Sequence, residues 1–183
     1  MPALDAHIDL TMTSTQEGTE LFAAFREDHA VLGRGFFDLA QSLRANDLEQ
    51  ARAVAVQLDR AAGAHIAFEE ENFYPALRTL FGAGETQRMY DEHRLGLGVV
   101  QTLCELPQQN ELPEDQRRQL LRDAEVMAQH IADCGALFET MGRLPPEQQT
   151  ALLHELQDWR QKNPRWTQYG SRLEPQPEVR QRP

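Results

Sequence analysis

The segments HIAFE (65–69) and HIADC (130–134) open alike and part at the fifth letter, where one carries Glu69 and the other Cys134. Imidazole nitrogen and carboxylate oxygen suit non-haem iron, manganese or zinc, and a His-x-x-x-Glu step puts both donors on one helix face, one turn apart. His29 and His93 occupy comparable places in two further apolar stripes. A single inward histidine is more often a hydrogen-bonded core residue than a ligand. Four imidazoles and a carboxylate buried together are different, because without a cation several polar groups would go unsatisfied at a cost on the order of 1–3 kcal/mol each.

The elements that must carry these residues are helices. Leu, Ala, Glu, Gln and Arg dominate and aromatic residues make up 7%, the usage of an all-α chain. Ser14-Thr-Gln-Glu17 reads as a capping box that starts the first helix, whose inward face runs Phe25, His29, Leu32, Phe36, Leu39, Leu43 in steps of three and four. After a turn at Asn46-Asp47 the second stripe is Val54, Leu58, Ala61, His65, Glu69, Phe73, Leu77, with Pro75 predicting a local irregularity. The third is Met89, His93, Leu97, Val100, Cys104, and the fourth, from Pro113, is Leu120, Met127, His130, Cys134, Leu137, Met141. Pro145-Pro146 opens a shorter fifth helix.

The expected architecture is an up-and-down antiparallel four-helix bundle with that fifth helix and a loosely ordered C-terminal tail. It divides into a leading segment (1–16), the bundle (17–161) and the tail (162–183), in which Trp166 and Tyr169 could dock. Counting residues from the shared turns sets His29 and His65 within about 3 Å of one level. His93, Glu69 and His130 fall near the same height.

The order His29, then His65-x-x-x-Glu69 with Glu70-Glu71 and Phe73-Tyr74-Pro75, then Glu92-His93, then His130, resembles the hemerythrin-like (HHE cation-binding) family over roughly residues 18 to 160. The resemblance implies a pair of non-haem irons bridged by carboxylates and oxygen, used to bind or sense dioxygen, nitric oxide, peroxide or iron itself. By position His29, His65, Glu69, His93 and His130 would be the ligands. The departure lies on the last helix, where the family places a carboxylate and this chain has Cys134. Asp133 could reach the same face, since positions three apart are neighbours on a helix. Cys134 could instead ligate as a thiolate, or be a small core residue beside a single metal or none. With only His93 on the third helix, reversible oxygen carriage is disfavoured.

Other residues enter less directly. Tyr90 is read as packing, Glu70 and Glu71 as facing solvent, Asp123 as a carboxylate that could orient His130, and His7 and His154 as outside the site. A net charge of −11 gives no basic footprint for nucleic acid, and arginines 165, 172, 180 and 182 read as a solvated tail. No apolar run reaches a membrane span or a signal h-region, and two cysteines are too few for a disulfide scaffold, so the expected setting is cytoplasmic with reduced thiols. Three function classes follow: a binder or sensor that turns over no organic substrate, a metal-dependent enzyme acting on peroxide or oxygen, and a metal-free interaction bundle with a degenerate site. Iron delivery for repair ranks lower, because the leading segment has no cysteine.

Overall fold

The computed structural model describes residues 10–107, 111–134, 137 and 140–170, with side chains from residue 16 onward. Helix α1 spans Leu10–Arg44 and buries Leu21, Phe25, His29, Leu32, Phe36, Leu39 and Leu43, the stripe predicted from spacing. It begins before Ser14, so the capping box is not used: an N-cap needs a non-helical backbone, and Ser14 already lies within the helix. Asn46 takes a left-handed φ of 56°, which Asn tolerates, and Asp47 caps α2 (Leu48–Phe68) by accepting from Gln50 N–H at 3.0 Å.

Beyond Phe68 the chain stays helical but widens into a π-turn over Glu69–Phe73, then returns to α geometry in α3 (Tyr74–Phe81). The turn is the irregularity expected near Pro75, which has no N–H and whose ring crowds the carbonyl four residues back. Tyr74 N–H bonds the Glu69 carbonyl five residues earlier. Tyr90 O–H donates to the Glu70 carbonyl at 2.8 Å, supplying the proton that Pro75 cannot.

Gly82, at φ 82°, links α3 to α4 (Ala83–Glu105), and α5 follows Pro113 as Glu114–Asp133. The fourth stripe was expected to run on to Met141. Instead α5 stops at Asp133 and Cys134 is its C-cap, with Gly135, a poor helix former, next in sequence. Gly135 and Ala136 lie outside the described residues. Leu137 and Met141 are still buried.

Helices α1, α2, α4 and α5 each pack against two neighbours and close a four-membered ring, while α6 (Pro146–Lys162) lies against α1 and α2. The bundle is all-α, and no strand occurs among the described residues. Two apolar clusters fill it. One is built on Leu32, Phe36, Leu58, Val100 and Met127, the other on Phe25, Phe68, Phe73, Met89 and Leu152. His29, His65, His93 and His130 form a polar layer between them, each flanked along its own helix by residues of one cluster and then of the other.

Within the tail, Trp166 and Tyr169 dock as the sequence allowed. Trp166–Gly170 form a short helix, α7, that docks on α2 and α4, with Trp166 1% and Tyr169 3% exposed. Burial of a large indole offsets the cost of ordering this stretch, and Thr167 N–H bonds Asp59 Oδ1 at 2.9 Å. The close approach needs two small residues. A Cβ on Gly63 would sit 2.0 Å from the Pro164 carbonyl oxygen, and one on Gly96 would sit 2.8 Å from the Trp166 ring. Residues 1–9 and 171–183, including Arg172, Arg180, Arg182 and His7, lie outside the described residues.

Because backbone rather than a flexible side chain blocks that position, Gly63→Ala is expected to lower stability by about 1–3 kcal/mol, read as a reduced urea midpoint.

Candidate metal centre

Glu69 is buried at the middle of the polar layer, and its two carboxylate oxygens face opposite ways. Oε1 lies 3.5 Å from His65 Nε2 and 3.8 Å from His29 Nε2, while Oε2 lies 3.2 Å from His93 Nε2. His93 Nε2 is in turn 3.1 Å from His130 Nε2. Two triads result, His29–His65–Glu69 and Glu69–His93–His130, in each of which the ligand atoms all lie within 4.8 Å of one another. The shared member is Glu69. Phe25 packs against both rings of the first pair, with centroids at 4.4 and 4.9 Å.

The imidazoles are turned inward by what holds their other nitrogen. Nδ1 of His29 meets the Phe25 carbonyl at 2.9 Å, and Nδ1 of His65 meets Asp28 Oδ2 at 3.1 Å. Nδ1 of His93 meets Glu70 Oε1 at 2.9 Å, and Nδ1 of His130 meets Glu92 Oε2 at 2.8 Å. A carbonyl or carboxylate oxygen accepts, so each Nδ1 carries a proton and each Nε2 points into the site, with a lone pair to offer a metal whenever the ring is neutral. The acceptors are themselves held: Asp28 by Arg160 at 2.8 Å, Glu92 by Arg88, and Glu70 by the Tyr169 hydroxyl at 3.3 Å.

Such an interior calls for positive charge. Glu69 Oε1 is buried without a hydrogen-bond partner, and in the second triad two Nε2 atoms face each other at 3.1 Å, an arrangement that needs a proton or a cation between them. Without a metal the protein can answer only with protons. Burial works against charging His65, but the Glu69 and Asp28 carboxylates outweigh it and lift the imidazole to about 9. Burial and the neighbouring His65 pull His29 down to about 4. The second pair divides likewise: His93 is raised, Glu69 and Glu70 overcoming its burial, while burial and His93 lower His130. Burial favours the neutral form of Glu69, yet His65 and His93 hold it well below the usual carboxylate range. Each half thus draws in one cation, and the donor set fits a metal of the imidazole and carboxylate class.

The structure brings together His29, His65, Glu69, His93 and His130, and separates the two residues offered for the missing carboxylate. Asp133 is exposed and accepts from Gln129 Nε2 at 2.8 Å, because its position on α5 faces solvent. Cys134 is buried with Sγ 3.6 Å from His130 Nε2, beside the second triad but outside it. Burial and the charges of Glu69 and Glu92 push its thiol well up. Asp123 does not reach His130, being taken by Gln119, and Glu92 has the orienting role instead.

Glu70 was expected in solvent, yet the widened turn directs it to His93, while Glu71 is exposed as expected, with the Tyr169 hydroxyl 3.2 Å from its Oε1. Tyr90 bonds backbone rather than the site. Tyr74 was missed. Its hydroxyl is 3.2 Å from Glu69 Oε2, 3.0 Å from His93 Nε2 and 3.5 Å from His130 Nε2. The available signal was Pro75, which implied a change of register just where Tyr74 sits. Burial and Glu69 keep the free phenol well above its usual range.

Four helices aiming histidines at one shared carboxylate define a bundle-core cation-binding protein. The chain belongs to the hemerythrin HHE cation binding domain family, whose model matches residues 20–134. It is also 32% identical over 83 residues to a DNA nickase of Nostoc sp. (strain PCC 7120 / SAG 25.82 / UTEX 2576). That match covers 45% of this chain and 23% of the nickase, so the chain spans less than a quarter of that relative's length. No solved structure matches it. No helix among the described residues is long and apolar enough to cross a membrane.

If the outward hydrogen bonds orient the ligands, Asp28→Asn and Glu92→Gln should each weaken cation binding about 10–100-fold in a ferrous or cobaltous titration. Asp123→Asn should leave it unchanged.

Proposed function

We propose that the protein takes up two non-haem irons, which Glu69 and the two histidine pairs would hold, and uses them to bind or sense dioxygen, nitric oxide or redox state, in a cytoplasmic setting. The observation that carries this reading is the placement of the Glu69 oxygens, one toward each histidine pair. When bound, iron would supply one-electron chemistry and a coordination position open to a small ligand.

The chain's own residues set the terms. His29 and His65 would hold one ion and His93 and His130 the other, their Nε2 atoms already directed inward. Phe25, Phe73, Met89 and Met141 lie in the apolar cluster that closes one side of the layer. The ligand residues are at most 7% exposed, which favours a diatomic gas over an organic substrate. Peroxide is the second small molecule to test. The buried thiol of Cys134, 3.6 Å from His130 Nε2, favours a reading in which the site reacts with oxidant rather than only binding gas. The nickase's named activity finds no support in a chain of net charge −11.

An anaerobic ferrous titration of apoprotein is expected to end at two irons per chain. Tight uptake of less than one would overturn the reading and leave an interaction bundle. Ligation of the native state alone must also stabilise it, by about 2.7 kcal/mol at a free metal concentration near 100 times Kd. Chelator should therefore lower the Tm of the wild type and leave that of Glu69→Ala unmoved.

A further inference from the structure

We propose that Tyr74 is the missing oxygen ligand of the second subsite, binding the metal as a phenolate where the last helix lacks a carboxylate. This rests on the iron reading above and adds a donor that neither the sequence spacing nor the family match assigns.

The first argument is distance. Tyr74 Oη, Glu69 Oε2, His93 Nε2 and His130 Nε2 form a compact set in which Oη lies 3.2, 3.0 and 3.5 Å from the other three. Glu69 Oε2 to His93 Nε2 is 3.2 Å, and the two Nε2 atoms are 3.1 Å apart. A cation about 2.1 Å from each donor sets neighbouring donors about 3.0 Å apart in an octahedron and about 3.4 Å apart in a tetrahedron. The separations fall around those edge lengths.

Hydrogen bonding does not account for them. Five contacts would need five protons. With the imidazole protons engaged at Nδ1 by Glu70 and Glu92, only the Tyr74 proton remains, and a doubly protonated His93 adds only one more.

The second argument is the backbone. At 3.6 residues per turn, a residue five places after Glu69 would lie about 140° round the helix from it. The π-turn removes most of that offset, and the i to i+5 bond from Tyr74 N–H to the Glu69 carbonyl marks where it does so. Two oxygen donors on one stretch of chain are thereby directed at the same His93–His130 pair. The third argument is vacancy on α5: Asp133 faces solvent and Cys134 is a thiol, so the last helix brings no carboxylate to the triad.

On binding, the phenolic O–H bond breaks, the proton leaves to solvent and an oxygen–metal bond forms, with no change of oxidation state. An anionic oxygen donor favours the ferric ion over the ferrous one, which steers the site away from reversible gas carriage.

The test loads full-length apoprotein anaerobically with ferrous iron, oxidises it with ferricyanide, removes excess reagent and records iron content, visible absorption and resonance Raman spectra. The expected result is a phenolate-to-iron(III) charge-transfer band with tyrosinate ring modes in the wild type. Measured per bound iron, the band should be lost in Tyr74→Phe and retained in Cys134→Ser and in a Tyr90→Phe/Tyr169→Phe double variant, which removes the other tyrosines and can lower the iron uptake through Glu70 without removing the band. Iron-loaded wild type without the band would overturn the proposal, as would a band that survives Tyr74→Phe or disappears in the double variant. If Tyr74→Phe fails to fold, the wild-type Raman spectrum and the double variant decide alone. Wild type that takes up no iron would defeat the underlying reading as well, and the iron count separates that failure from the others.

Discussion

A carboxylate buried at the centre of a helical bundle, with an imidazole pair on either side, sets the terms for the rest of this molecule. Glu69 stays ionised in the core only because positive charge is available on both flanks, and each flank meets that demand by raising one imidazole and depressing its neighbour. Those four rings come from different stretches of chain. Their convergence therefore fixes the relative heights and rotations of α1, α2, α4 and α5 more tightly than apolar packing alone would. Acceptors on the outward nitrogens complete the arrangement, extending it through Asp28 to Arg160 on α6 and through Glu70 to Tyr169 on α7.

Placing a polar layer between two apolar clusters has an energetic cost. Leu, Phe or Met at the histidine positions would let one core run the length of the bundle, whereas here the clusters are divided by groups that must be charged, hydrogen-bonded or ligated. The apolar residues on either side are what make the division tolerable. They also give the site its dry surroundings, in which a carboxylate and a lone pair interact with a cation far more strongly than in water.

Much of this was legible in residue spacing. The three-and-four pattern placed His29, His65, His93 and His130 on inward faces, and counting from the hairpin turns set them at one level. What spacing cannot carry is a change in the helical period itself. Glu70 was read into solvent and Tyr74 was given no role for one reason: a pattern of 100° per residue does not hold through a segment that turns more slowly. Asp133 and Cys134 could not be ranked because helical neighbours three and four apart look equally good until the end of the helix is known. For α7 the sequence offered that Trp166 and Tyr169 could dock, but not where. A five-residue helix has no period to detect, and the glycines that admit it, Gly63 and Gly96, lie far away in sequence on the helices it covers.

The π-turn is a matter of residue count more than of residue type. Substitutions between Glu69 and Phe73 can change how well the turn is made, but removing one residue there would let the segment close to an α-turn, with Tyr74 four places after Glu69 and about 40° round the helix, so that Tyr74, Pro75 and Leu77 keep nearly their present faces. The segment is therefore open to drift in letters and in length by the one residue that the π-turn absorbs, and a tyrosine four or five places after the glutamate is a better marker of this arrangement in other chains than the identity of the residues between them.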